Sequence, residues 1–239
     1  MALKLRFLYM IMAEVENTSQ NMKRRVIRMC QAISITAEAS ELTDRFQIEK
    51  VLFYTSNRHE INPTESVSAI FEHKESRVLD ECRWGLMPYW AKDSLRMDCR
   101  TMLWKPIFDR VMKKQRCIIP CTGFYVSRTV GKETERVKVT MRSGTFGIAG
   151  LYDIFRSASG EEMRTCTLLM TRANWLVSPY QELMPAILEQ EDIDKWLKRD
   201  VVELSPLHPM LRTMDAERML SIPLSAAGGA KVEFRPEVI

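Results

Sequence analysis

Glycine and proline are sparse in this sequence, nine and ten among 239 residues, which excludes collagen-like repeats, mucin-like stalks and linker-dominated chains. No Gly-x-Gly-x-x-Gly run or phosphate-binding loop can be assembled from so few glycines, so a nucleotide cofactor is not expected. Histidine is scarcer still: His59, His73 and His208 stand alone in polar contexts, and none has a readable Ser or Cys partner for nucleophilic catalysis. The six cysteines contain one close pair, Cys117 and Cys121, with no second pair at knuckle spacing. That pattern argues for buried thiols over structural zinc, and for a reducing compartment over a disulfide scaffold. No metal and no cofactor are expected, and the expected location is the cytoplasm.

Long apolar runs are missing as well. The one candidate targeting segment, Leu5 to Ala13, is too short to cross a bilayer, and Glu14 and Glu16 stand where a signal peptide would carry its cleavage site. No membrane partner is expected. Charge of one sign does not dominate either, since 35 Lys+Arg against 31 Asp+Glu leave +4, too small a bias to identify a polyanion partner from composition.

What is present is an ordinary globular pattern, 46% hydrophobic and 28% charged, long enough for one substantial core. Residues 1–28 are polar and basic without an apolar period and read as an extension; the folded domain is expected over 29–225, with a tail over 226–239. Short amphipathic helices are predicted at Ala37 to Phe46, Pro106 to Met112 and Gln190 to Lys198. Strands are predicted at Val67 to Phe71, Val78 to Trp84, Arg116 to Ile119, Phe124 to Thr129, Glu135 to Met141, Phe146 to Tyr152 and Arg164 to Thr171. Short turns at Gly131, Gly144 and Gly160 join the later strands, which predicts an antiparallel meander over 124–171, with Phe124, Ile148, Leu151 and Leu168 in its core. Parallel pairing is not expected, because crossover helices are missing. The fold class is α+β: a single domain, mainly antiparallel β, barrel-like or sandwich-like, with peripheral helices and a monomeric state.

The charge that exists is concentrated. Between Arg83 and Arg116, nine basic residues face three acidic ones, a net of +6, while the remainder of the chain carries −2. Trp84, Trp90 and Trp104 fall in the same stretch. Interleaved cations and flat rings suit phosphate pairing with base stacking on single strands; a solvated basic face over core tryptophans fits the same composition.

The block Arg83-Trp84-Gly85-Leu86-Met87-Pro88-Tyr89-Trp90-Ala91-Lys92-Asp93 strongly resembles the SRAP family, the SOS response-associated peptidases or abasic-site processing proteins. Further blocks of that family follow in order: Lys105-Pro106 with Phe108, Arg116-Cys117-Ile118-Ile119-Pro120, Gly123-Phe124-Tyr125, Ala149-Gly150-Leu151-Tyr152, Thr171 with Ala173-Asn174, and Met184-Pro185-Ala186-Ile187-Leu188. The resemblance implies covalent chemistry on single-stranded DNA, in which an N-terminal cysteine exposed by removal of the initiator Met attacks the ring-opened aldehyde of an abasic site. The α-amine forms a Schiff base and the thiol closes a thiazolidine. One residue thus supplies two nucleophiles, with ordinary pKa values near ~8 and ~8.5. Cys30 is the matching cysteine, and a buried strand thiol is the alternative reading of it. Arg83, Trp84, Trp90, Lys92, Arg100, Lys105, Arg116, Tyr125 and Thr171 become candidates for DNA binding.

The sequence departs from the family where acid-base groups are implied. Val126 replaces the Glu of Gly-Phe-Tyr-Glu-Trp, and Gln181 replaces the His of His-Asp-Arg-Met-Pro. Arg96 or, with a two-residue gap, Asp98 takes the place of an Asn; Glu60 and Ala32 replace a further Asn and the Arg that follows the cysteine. Cys30, Gln181, Val126 and Arg96 are therefore the candidate catalytic positions. Three readings follow: a crosslinker of abasic single-stranded DNA in the DNA damage response, associated with the nucleoid when bound; a catalytically inactive paralogue that binds DNA; and a thiol self-processing peptidase, which would place the chain among hydrolases or lyases. An internal cysteine has its nitrogen in an amide, so the first reading requires residues 1–29 to be absent. Met29 directly precedes Cys30, and Arg24-Arg25 can be encoded as a ribosome-binding sequence three codons upstream, so the natural product is expected to begin at Met29.

Overall fold

Continuous and alternating apolar runs dominate from Ala32 onward, and they form strands. A computed structural model of the chain describes residues 32–74, 76–86, 95–102, 108–157, 160–199 and 203–224. Its strands, in chain order, are β1 (Ala32–Ile35), β2 (Lys50–Val51), β3 (Arg58–Ile61), β4 (Ser66–His73), β5 (Ser76–Trp84), β6 (Arg96–Asp98), β7 (Arg116–Cys121), β8 (Gly123–Val130), β9 (Glu133–Met141), β10 (Phe146–Arg156), β11 (Glu162–Arg172), β12 (Leu183–Pro185) and β13 (Met219–Leu224). The helices are short: α1 (Ala39–Phe46), α2 (Cys99–Met102), α3 (Asp109–Lys114) and α4 (Ile193–Leu197). None of the described helices is long and apolar enough to cross a membrane.

Two sheets share one core. The smaller has the order β13-β9-β8-β1-β3, and the larger β12-β11-β10-β7-β4-β5-β2 with β6 alongside β11. In the larger sheet β5 also pairs with β11 (Thr165 opposite Arg83, Cys166 opposite Trp84), which closes β11, β10, β7, β4 and β5 into a ring. Closure removes the exposed edges that an open sheet would present. Phe124 of β8 meets Phe146 of β10 edge to face at 6.5 Å, joining the smaller sheet to the barrel.

The α+β, barrel-like architecture agrees with the sequence reading, and Phe124, Ile148, Leu151 and Leu168 are all buried in the core. Two expectations are corrected. The meander is divided: the β8–β9 hairpin belongs to the smaller sheet and the β10–β11 hairpin to the barrel. Parallel pairing does occur, at β5–β11, β6–β11 and β2–β5. A parallel pair needs a long connection, not a helical one, and the chain between Trp84 and Thr165 supplies it.

Arg116 is also corrected from a DNA contact to a structural group. It is 3% exposed; its Nε donates to Trp196 O at 2.6 Å, and its terminal nitrogens donate to the carbonyls of Met112 and Lys198. The guanidinium thus ties β7 to the ends of α3 and α4. Three backbone acceptors satisfy it, which is what a buried cation requires.

Candidate functional site

One edge of β11 carries the feet of the longest family block. β5 ends at Trp84 opposite Cys166, and the Gly85 amide donates to Cys166 O at 2.7 Å. Gly85 has φ 134°, a conformation that side-chain-bearing residues rarely adopt. The chain returns at Leu95, whose carbonyl accepts from Leu168 N at 3.3 Å, and β6 then runs beside Leu168–Met170. Trp84 is 0% exposed, and its indole N–H donates to Leu95 O at 2.8 Å. It fastens the end of β5 to Leu95 and presents no face to a nucleobase, which corrects its expected role in stacking.

The other edge of β11 carries β12, with Thr171 opposite Met184 and Arg172 opposite Leu183. Thr171 is buried in this pairing. Between the two strands the chain makes a tight turn, and Gln181 sits at its end, 7% exposed. The Gln181 amide nitrogen donates to Leu183 O. Only the nitrogen can donate, so the orientation of the amide is set, and Oε1 is left as a buried acceptor without a protein donor among the described residues. A buried acceptor in that condition costs about 1–3 kcal/mol, so the position favours a donor brought by a ligand.

Contacts bring Arg100 and Arg128 to this turn, while Val126 and Tyr125 lie farther along β8. Arg100 pairs with Asp98, Nε to Oδ1 at 3.1 Å and a terminal nitrogen to Oδ2 at 2.7 Å, and Asp98 followed by Glu182 holds the Arg100 guanidinium above its ordinary pKa. Arg96 stands opposite Leu168. On β8, the Arg128 guanidinium lies 5.1 Å from the centre of the Tyr180 ring. Val126, two residues earlier, is 0% exposed within the hydrophobic core. Ala32, where β1 begins, is paired with Tyr125. The Tyr125 hydroxyl donates to His59 O at 2.5 Å; burial, and then the charge of Glu60, push its pKa up. Burial lowers the pKa of Lys138, the partner of Tyr125 on β9.

Arg83 is brought elsewhere. It is exposed and lines a cleft of about 480 Å³ with Asp80, Glu81 and Arg164, and none of the other candidate residues lines that cleft. Cys30, Trp90, Lys92 and Lys105 lie outside the described residues. Sequence reasoning missed Arg128, which lies in a predicted strand but outside the basic cluster, and Tyr180 and Trp175, which fall between family blocks in a stretch without periodicity; the only available signal for Trp175 was an aromatic residue directly after an Asn with turn propensity.

Cys82, Cys99, Cys117, Cys121 and Cys166 are free and buried. Burial raises the thiols of Cys82 and Cys117 well above their ordinary value, and burial together with the Asp98 charge pushes Cys99 up to about 12. None of these three is a thiolate near neutrality. We expect the native chain to show at most one fast equivalent in a thiol titration at pH 7.5, from Cys30, and six after unfolding; two or more fast equivalents would contradict the packing. Among the described residues no group of three or more His, Cys, Asp or Glu side chains is placed to hold a metal ion.

Residues 29–229 match the SOS response associated peptidase (SRAP) family. The chain belongs to this family. It is 28% identical over 224 residues to Abasic site processing protein YoqW of Bacillus subtilis, covering 88% of this chain and 99% of that protein. With Abasic site processing protein HMCES of Gallus gallus it shares 31% over 194 residues, 68% of this chain and 57% of the relative. The crystal structure of a protein from Bacteroides thetaiotaomicron superposes with a TM-score of 0.72 at 25% identity, covering 82% of this chain and 93% of that one. A Bordetella bronchiseptica structure has the same fold, with a TM-score of 0.69 at 19% identity and coverage of 82% and 100%. Several SRAP blocks are the buried strands themselves: Arg116-Cys117-Ile118-Ile119-Pro120 lies in β7, Gly123-Phe124-Tyr125 in β8 and Ala149-Gly150-Leu151-Tyr152 in β10. These blocks specify the two sheets more directly than the chemistry.

Proposed function

We propose that this SRAP protein binds single-stranded DNA at abasic sites and joins to them covalently through Cys30. The observation that carries the proposal is the position of β1. It enters the smaller sheet at Ala32, paired with Tyr125, on the strand that also holds Val126 and Arg128. Two peptide units separate Cys30 from Ala32, so their Cα atoms are at most about 7.6 Å apart, which keeps a terminal amine at Cys30 within reach of that strand. The names of the relatives, abasic site processing proteins in both a bacterium and a bird, support abasic DNA as the substrate.

The amine of Cys30 adds to the aldehyde carbon, whose oxygen leaves as water to give the Schiff base. The thiol then adds to the C=N carbon and its proton passes to nitrogen, closing the five-membered ring with the net loss of one water. Arg100, which is exposed, and Arg128, which is half-buried, are cations that would meet phosphates. The acid-base assistance is reduced, because Gln181 cannot exchange a proton near neutrality and Val126 has none to exchange. A rate lower by ~10²–10⁴ for each missing group is the expected scale.

Gln181→His is therefore expected to raise the rate of adduct formation on the order of 10²-fold, measured by quenched time courses on denaturing gels. Val126→Glu is a poor companion to it, since the new carboxylate would lie in apolar surroundings and destabilise the fold. The inactive-paralogue reading is favoured by the same two residues. It would stand if a chain beginning at Cys30 binds an abasic oligonucleotide and no adduct survives heating. The self-processing reading is tested by the intact mass of the chain made from Met1, which should remain unshortened on the crosslinking proposal.

A further inference from the structure

The turn between β11 and β12 is built rigidly. Asn174 Oδ1 accepts from the amides of Leu176 and Val177 at 3.1 Å each, and its Nδ2 donates to Met214 O at 2.8 Å and Met219 Sδ at 3.2 Å. Ser178 N returns to Asn174 O at 2.8 Å and Tyr180 N to Val177 O at 2.9 Å. Val177 is buried, and Leu176 and Tyr180 pack against the core. Trp175 is the exception at 68% exposed. A turn so thoroughly pinned holds this ring in solvent as part of its native geometry, at the cost of hydrating the largest apolar side chain available to it.

The surroundings identify what covers the ring. Its exposed neighbours on the turn are Arg172, Ser178 and Pro179, not the contiguous apolar patch of a protein-docking surface. Arg172 forms no ion pair with the described residues. Arg128, on the Tyr180 ring at the other end of the turn, is held by an exposed pair with Glu135, an interaction that a phosphate can displace at little cost. An exposed flat ring on a turn that also carries cations is suited to binding a base and its adjoining phosphates in a single strand, with little demand on sequence.

We infer that Trp175 is a stacking platform for an unpaired nucleobase next to the abasic position, with Arg172 and Arg128 on the flanking phosphates. The inference rests on single-stranded DNA being the ligand, and it adds a positioning surface on the same turn as Gln181. The platform acts on binding and register, not on the covalent step itself.

The test uses a labelled single-stranded oligonucleotide without an abasic site, titrated by fluorescence anisotropy at low salt with the full chain and with Trp175→Ala, Trp175→Phe and Arg172→Gln. Trp175→Ala should weaken binding about 5- to 150-fold, the range of one base–aromatic stack, with an unchanged thermal midpoint because the ring is exposed. Trp175→Phe should recover most of the affinity. Arg172→Gln should weaken binding and flatten its salt dependence. Binding by the unaltered chain that Trp175→Ala leaves within twofold overturns the inference while the proposed function stands. No single-strand binding by the unaltered chain overturns both. If Trp175→Ala instead abolishes self-association and spares DNA affinity, the ring contacts a second copy and the inference is wrong.

Discussion

A chain that begins at Cys30 should form an adduct with abasic single-stranded DNA that survives boiling in denaturant, and the same chain with Cys30→Ala should form none. The expected difference is total, because both bonds of the thiazolidine are made by that one residue. The chain retained from Met1 should fail as completely: its Cys30 nitrogen is an amide, which carries no nucleophilic lone pair and only one of the two N–H hydrogens that a Schiff base must lose. Thiol reactivity alone cannot replace it, since a hemithioacetal reverts on denaturation. Adduct formation by the Cys30-initiated chain should speed up between about pH 6.5 and 8.5, as an α-amine of ordinary pKa ~8 and a thiol near ~8.5 lose their protons, until loss of acid for dehydration opposes the gain. An adduct that forms equally well with Cys30→Ala would end the covalent proposal and leave the DNA-binding reading.

The strands of the barrel were legible because each is a run of apolar residues bounded by turn residues, and β7, buried along its whole length, is the plainest case. Their partners were less legible. The pairing of β5 with β11 brings Trp84 beside Cys166 across some eighty residues of sequence, and no local pattern encodes that meeting. The short strands β6 and β12 were missed because three residues cannot display a period. The site was legible through its motif residues and illegible in their roles. A tryptophan within a basic stretch reads equally as a stacking surface or as core, and burial decides between them. Arg116 shows the same ambiguity for a cation, since its three backbone partners come from α3, α4 and the residue after α4. Trp175 was passed over for the opposite reason, as it lies outside both the charge cluster and the family blocks.

Trp84→Ala should be among the most destabilising single changes available in the chain. The ring is fully buried in the larger sheet, at the end of β5 where the barrel closes on β11, and removal of a large buried aromatic costs about 3–5 kcal/mol, or roughly 6–20 °C in the thermal midpoint for a chain of this size. Trp84→Phe separates packing from the clamp. It keeps most of the apolar volume but removes the N–H that Leu95 O accepts, leaving that carbonyl only the Leu168 amide at 3.3 Å, and the loss of one such hydrogen bond costs about 0.5–1.5 kcal/mol. Chemical denaturation of the two variants beside the parent measures both quantities. The comparison with Trp175 then discriminates the two tryptophans: Trp84 substitutions should lower stability in proportion to the packing and bonding removed, whereas Trp175→Ala should leave stability unchanged and lower affinity for single strands. A Trp84→Ala chain as stable as the parent but impaired in DNA binding would place the ring on the surface and refute its buried position between β5 and Leu95.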